Sequence, residues 1–155
     1  MQPQKILEQL PENYPLEYNS EHFLTAQSFV MNKWLERFNE KKQNWENSGG
    51  EYGEKPPQDL SGSCKFSSLF AASIFGGEVQ GNEFHQYCVI DKQIIDLNKK
   101  AKDVTNLDNP YFHDEYFFGS KDHIASMKFC KERVNSWLKE FSVYLNQKII
   151  PKPKF

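Results

Sequence analysis

The sequence predicts an α+β domain in which a short cysteine-bearing helix packs against a small antiparallel sheet, flanked by two long helices. Three observations predict it. Two long stretches carry apolar residues at helical spacing, and a stretch between them concentrates β-branched and aromatic residues around a tight turn. A short apolar run after Cys64 is stopped by Gly76 and Gly77. At 155 residues the chain has the length of one domain, able to bury a core without disulfides or metals. A single domain is expected over 1–155, with 1–19 as an N-terminal arm and 149–155 as a frayed tail.

The arm is punctuated by Pro3, Pro11 and Pro15, after which Ser20 is placed to cap the first helix. Phe23, Leu24, Val30, Met31, Trp34, Leu35, Phe38 and Trp45 form its apolar stripe. The helix should end near Asn47, where Ser48, Gly49 and Gly50 supply stop chemistry. Gly53, Pro56 and Pro57 then carry an irregular loop to Cys64. From Lys65 the run KFSSLFAASIF is apolar on more than one face, as a buried helix is.

The segment FHQYCVIDKQIIDLN changes period and predicts a β-hairpin turning at Asp91 and Lys92. Residues 99–119 mix Asn, Asp and Pro with the aromatic run YFHDEYFFG, which predicts loop and short strand forming a packed wall. From about Asp122 a second long helix aligns Met127, Cys130, Val134, Trp137, Leu138, Phe141, Tyr144 and Leu145. Both long stripes are core first. Cys88 and Cys130 fall within apolar patterns and are expected in the core, whereas His22 and His123 lie among polar residues and are expected at the surface or in caps.

A formal charge of -2 provides no global field for phosphate backbones or anionic lipid, so neither nucleic acid nor membrane is expected as a partner. No stretch approaches the ~20 apolar residues of a bilayer span, and the first residues lack the apolar segment of a secretory signal. Three cysteines are an odd, sparse set that fits a reducing compartment. A cytoplasmic location is expected, or export by a route needing no signal peptide.

The chemistry converges on Cys64, His85 and Asp96. A nucleophilic thiolate is favoured at the first turn of a helix, where unpaired amides and the dipole attract negative charge. Cys64 is expected there, and Ser61, Gly62 and Ser63 let the backbone pass close to a substrate carbonyl. The Cys64 amide then supplies one oxyanion donor, with Gln58 as the candidate second.

A two-residue turn at Asp91 and Lys92 pairs Ile90 with Gln93, Tyr87 with Asp96 and His85 with Asn98. His85, Tyr87, Val89, Ile94, Asp96 and Asn98 then share one face, with Asp96 the diagonal neighbour of His85 at roughly 7–8 Å. That face is expected to meet the start of the Cys64 helix. Ser63, Tyr87, Asn98 and His113 are further candidates for the cleft. Cys64, His85 and Cys88 lack the paired Cys-x-x-Cys or His-x-x-x-His spacing of a zinc site, so no metal and no cofactor is expected.

The stretch QDLSGSCKFSSLFAA resembles the active-site segment of papain-like cysteine proteases, in Gln58, Gly62, Ser63, Cys64, Phe66 and Ser67. Lys65 stands where that family carries Trp. The stretch HQYCVIDKQIIDLN resembles the His-strand, turn, Asp-strand signature of transglutaminase-like proteins, in His85 and Asp96. The likeness covers residues 58–98 and implies a papain/transglutaminase-like core. It also implies acyl transfer from a protein or peptide substrate through a Cys64 thioester. Water as acceptor makes the enzyme a protease, isopeptidase, amidase or deamidase, and an amine makes it a transglutaminase. The alternative from another class is a silent domain of the same fold that binds a protein or peptide in the same groove.

Overall fold

The computed structural model describes residues 14–147, so the expected tail at 149–155 and most of the expected arm lie outside them. The described chain is α+β. The long helix α1 (Ser20–Asn47) and the short helix α2 (Cys64–Phe75) are followed by strands β1 (Glu78–Gly81), β2 (Gln86–Ile90) and β3 (Gln93–Ile95). Two four-residue helices, α3 (Lys102–Thr105) and α4 (Glu115–Phe118), precede the long α5 (Lys121–Gln147).

Local signals account for the boundaries. The cap of α1 is Asn19, one residue before Ser20, and its side chain accepts from the His22 amide at 2.8 Å. Gly76 ends α2 with φ 78°, a left-handed conformation that glycine adopts without a Cβ penalty. Asp91 and Lys92 both have positive φ, 48° and 68°, as a two-residue hairpin turn with the right twist requires.

The three strands form an antiparallel meander in the order β1-β2-β3. Ile90 pairs with Gln93, Val89 with Ile94 and Cys88 with Ile95, the register expected from the turn. Strand β1 is an addition to the predicted hairpin, with Val79 opposite Cys88. Its sequence, EVQG, buries Val79 and Gly81 and gives almost no strand periodicity.

Helix α2 is the centre of the molecule. Every residue from Phe66 to Phe75 is buried, with the sheet against one side and α5 against another. The long helices pack on α2 rather than on the sheet. Phe70 meets Phe29 of α1 at 5.5 Å between ring centroids, and Phe141 and Trp137 of α5 at 5.3 and 6.3 Å. Rings of this size bury about 150–250 Å² each, so this cluster dominates the hydrophobic stabilisation. Helix α1 reaches the sheet end at the turn after β3, where the Gln27 side chain donates to the Leu97 carbonyl at 2.8 Å.

The α5 stripe is buried from Met127 to Phe141 as expected, whereas that of α1 is displaced. Ala26 and Phe29 lie at its centre, while Leu24 and Trp45 are 58% and 55% exposed. A helix of 28 residues runs about 42 Å and outreaches the core, and Trp45 instead pins the following loop by donating to the Glu51 carbonyl at 2.9 Å. Residues 99–119 contain no strand: the segment turns through α3 and α4 and packs side chains under itself. His123 is buried rather than superficial.

Candidate active site

Cys64 is the first residue of α2, half-buried. The residue before it, Ser63, is buried and directs its hydroxyl to the Leu60 carbonyl at 2.6 Å instead of to the helix amides. The first-turn amides beside the thiol are therefore left without a side-chain cap. Gly62, at φ 84°, makes the bend that delivers the chain to this point.

The approach loop is clamped by the segment after β3. Asp59 accepts from the amides of Ser61 and Lys102 at 2.8 and 3.0 Å, and Asp103 accepts from the Gly62 amide at 2.8 Å. The buried Asn98 amide group donates to the Leu60 carbonyl and to Ser63 Oγ, both at 3.1 Å. Asn98 and Ser63, expected to line the cleft, are thus internal struts that hold the cysteine loop against the end of the sheet.

His85 and Asp96 are both buried, and His85 Nε2 donates to Asp96 Oδ2 at 2.7 Å. The Cys64 thiol lies close enough to the ring to favour its protonated form. With Nε2 committed to Asp96, Nδ1 is the nitrogen left for the sulfur. Burial by itself lowers the His85 pKa. The hydrogen bonds to Asp96 and Cys64, and attraction to both, outweigh that and push it up to about 9. The surroundings therefore favour the protonated ring.

One expectation about the geometry is corrected. The face that α2 covers is that of Val79, Cys88 and Ile95, whereas strict alternation assigns His85 and Asp96 to the opposite set, with Tyr87, Val89 and Ile94. Cys64 meets His85 because His85 comes just before β2 and Asp96 just after β3. The site therefore lies at the end of the sheet and not on its face.

Two further residues complete the cluster, and the sequence carried no signal for either. The Tyr111 hydroxyl donates to Asp96 Oδ2 at 2.9 Å, while Oδ1 accepts from the Asn98 amide at 2.9 Å. Asn82 accepts from the amides of Phe84 and His85 at 2.9 and 3.1 Å and donates to the carbonyls of Pro110 and Phe112. It locks the turn that carries His85 to the loop that carries Tyr111.

Tyr87 is buried beneath that loop, its hydroxyl donating to the Tyr111 carbonyl at 2.7 Å. His113 lies with Tyr87, Tyr111 and Ile94 around a cavity of about 580 Å³ on the outer sheet face. Its Nδ1 accepts from the Gly81 amide at 3.1 Å, so it belongs to that wall. Gln58 is exposed on the approach loop.

Cys88 and Cys130 are buried, and burial pushes the Cys88 thiol up to about 12. Among the described residues no group of His, Cys, Asp and Glu side chains could hold a metal ion, and no helix is long and apolar enough to cross a membrane. No family model matches the chain, and neither the curated proteins nor the solved structures contain a match to it.

Proposed function

We propose that the chain is a cysteine hydrolase or acyltransferase with a papain/transglutaminase-like core, acting on a peptide, isopeptide or glutamine amide carbonyl. The observation that carries this reading is the chain of contacts from Cys64 through the His85 ring to Asp96, closed by the 2.7 Å bond between Nε2 and Oδ2. A nucleophile at a helix start, a base within hydrogen-bond reach and an acid orienting that base are the three parts of nucleophilic acyl transfer.

In this mechanism the Cys64 thiolate, beside the His85 imidazolium, attacks the carbonyl carbon, and the carbonyl electron pair moves to oxygen. The uncapped amide of Cys64 receives that oxyanion, with Gln58 as the candidate second donor. Collapse breaks the C–N bond, and the imidazolium gives its proton to the departing amine, leaving a Cys64 thioester. Neutral His85 then takes a proton from water, or from an acceptor amine, as it attacks the thioester. The acyl product leaves, and the thiolate and imidazolium are restored. Asp96 keeps the ring in the tautomer that presents Nδ1 to sulfur throughout.

The test is the rate of Cys64 alkylation by iodoacetamide near neutral pH, followed by peptide mass spectrometry with Cys64→Ser as the blank. Alkylation faster than that of a free thiol, and slowed by His85→Ala, is expected. A rate equal to that of a free thiol, indifferent to His85→Ala, removes catalysis and leaves peptide binding without turnover.

A further inference from the structure

On α1, one helical face beside the cysteine loop carries a cation with no anion of its own. Arg37 is half-buried, its guanidinium carbon 5.1 Å from the Trp34 ring centroid and 5.2 Å from that of Phe66. The carboxylates nearest it along the helix are already engaged: Glu36 pairs with Lys33 at 2.9 Å, and Glu40 with Arg133 at 3.2 Å. Among the described residues none forms an ion pair with Arg37. Two rings hold the guanidinium in place while its N–H groups keep their capacity for a planar anion.

The same rings lie beside residues that flank Cys64 in sequence. Trp34 lies 3.6 Å from where a Cβ on Gly62 would stand, and Phe66 follows Cys64 by two residues. A pocket of about 170 Å³ opens beside Trp34, with Arg37, Lys41, Lys55 and Ser61 in its lining. That volume equals five or six waters, room for one side chain. Its one carboxylate, that of Glu54, accepts from the Tyr52 hydroxyl at 3.0 Å. Within this lining Arg37, Lys41 and Lys55 outnumber Glu54, while Glu36, Glu40, Glu132 and Glu140 border Arg37 on its other side. Three residues of chain span at most about 11 Å, so Ser61 lies within that distance of Cys64.

We propose that this pocket is the subsite for an acidic side chain of the substrate, with Arg37 as the residue that binds its carboxylate. The proposal rests on the reading of Cys64, His85 and Asp96 as catalytic, and it adds the substrate class: peptides carrying Asp or Glu within about three residues of the bond attacked. An Arg seated against aromatic rings discriminates a carboxylate from its amide, because the amide forfeits the charge-assisted pair.

The experiment is protection of Cys64 from iodoacetamide by two sets of alanine-rich hexapeptides, one with a single Glu at each position in turn, the other with Gln. The best Glu peptide is expected to protect at a concentration at least about tenfold lower than its Gln counterpart. Arg37→Gln should collapse that ratio towards one. Lys55→Gln, on the exposed loop, should shrink it partially and serves if the Arg37 variant fails to fold. Equal protection by the two sets, no protection by either, or a ratio that survives both variants overturns the subsite. If alkylation is still slowed by His85→Ala in that case, the catalytic reading stands alone. Alkylation indifferent to His85→Ala removes both.

Discussion

Tyr111 and His85 donate to the same oxygen of Asp96, at 2.9 and 2.7 Å, one from the segment after the sheet and the other from the turn before β2. The two donors therefore compete for one carboxylate oxygen. Tyr111→Phe removes one competitor, and the His85 titration midpoint should rise above about 9. Asp96→Asn removes the carboxylate that supports the imidazolium and should lower the midpoint. Both are read from the imidazole proton resonances. Tyr111→Phe should also destabilise the fold by about 1.5–3 kcal/mol, the range for a hydrogen bond to a charged group.

The raised His85 pKa makes stability fall on the alkaline side. A histidine whose folded pKa stands at about 9 against 6.5 unfolded contributes fully below pH 6.5, and the contribution disappears as pH rises to about 9. Urea unfolding at pH 6.5 and pH 9 should show this loss in the wild type and a smaller one in Asp96→Asn. Equal losses would contradict the linkage.

His123 acts in the other direction. It is buried against the Phe117 and Phe118 rings at 4.7 and 4.3 Å between centroids, and neither ring nitrogen has a hydrogen-bond partner. Burial, with repulsion from Lys65, lowers its pKa, so the fold holds it neutral. Its contribution is present above pH 6.5 and is lost as pH falls through the depressed value. The drop in thermal midpoint from pH 7 to pH 5 should be smaller in His123→Phe than in the wild type.

Phe70→Ala should cost about 3–5 kcal/mol, because the ring is fully buried and touches both long helices. Phe129→Ala, at 77% exposure, should stay within about 0.5 kcal/mol. Denaturant midpoints of the two variants measure the contrast.

Gly81 lies at φ 141°, and a Cβ there would clash with the His85 carbonyl oxygen. Gly81→Ala should destabilise the fold by about 1–3 kcal/mol and slow Cys64 alkylation by displacing His85. Gly53→Ala, which meets nothing within 4 Å, should change neither.

What the sequence made legible was local. The hairpin register followed from one turn and the spacing of two apolar runs, and the paired positions Cys88 and Ile95 obey it. The start of α2 at Cys64 followed from Gly62, Ser63 and an apolar run. In α1 the expected stripe holds at Phe23, Val30, Met31 and Phe38, while the buried arc runs through Ala26 and Phe29 and leaves Leu24 and Trp45 outside. Tyr111 and Asn82 were illegible for another reason. Their roles depend on how a loop folds back across separations of 15 residues for Tyr111 and 28 for Asn82, which no periodicity encodes. The placement of the site at the sheet end was hidden because alternation predicts faces and does not extend past the last ladder pair.

The burial of α2 on all sides carries a kinetic meaning. A segment enclosed between sheet and helices has no small local opening that exposes its backbone. The α2 amides beyond the first turn should exchange with solvent deuterons only when the whole domain opens, at the free energy of global unfolding. Cys64 would then be anchored to the slowest-exchanging part of the chain.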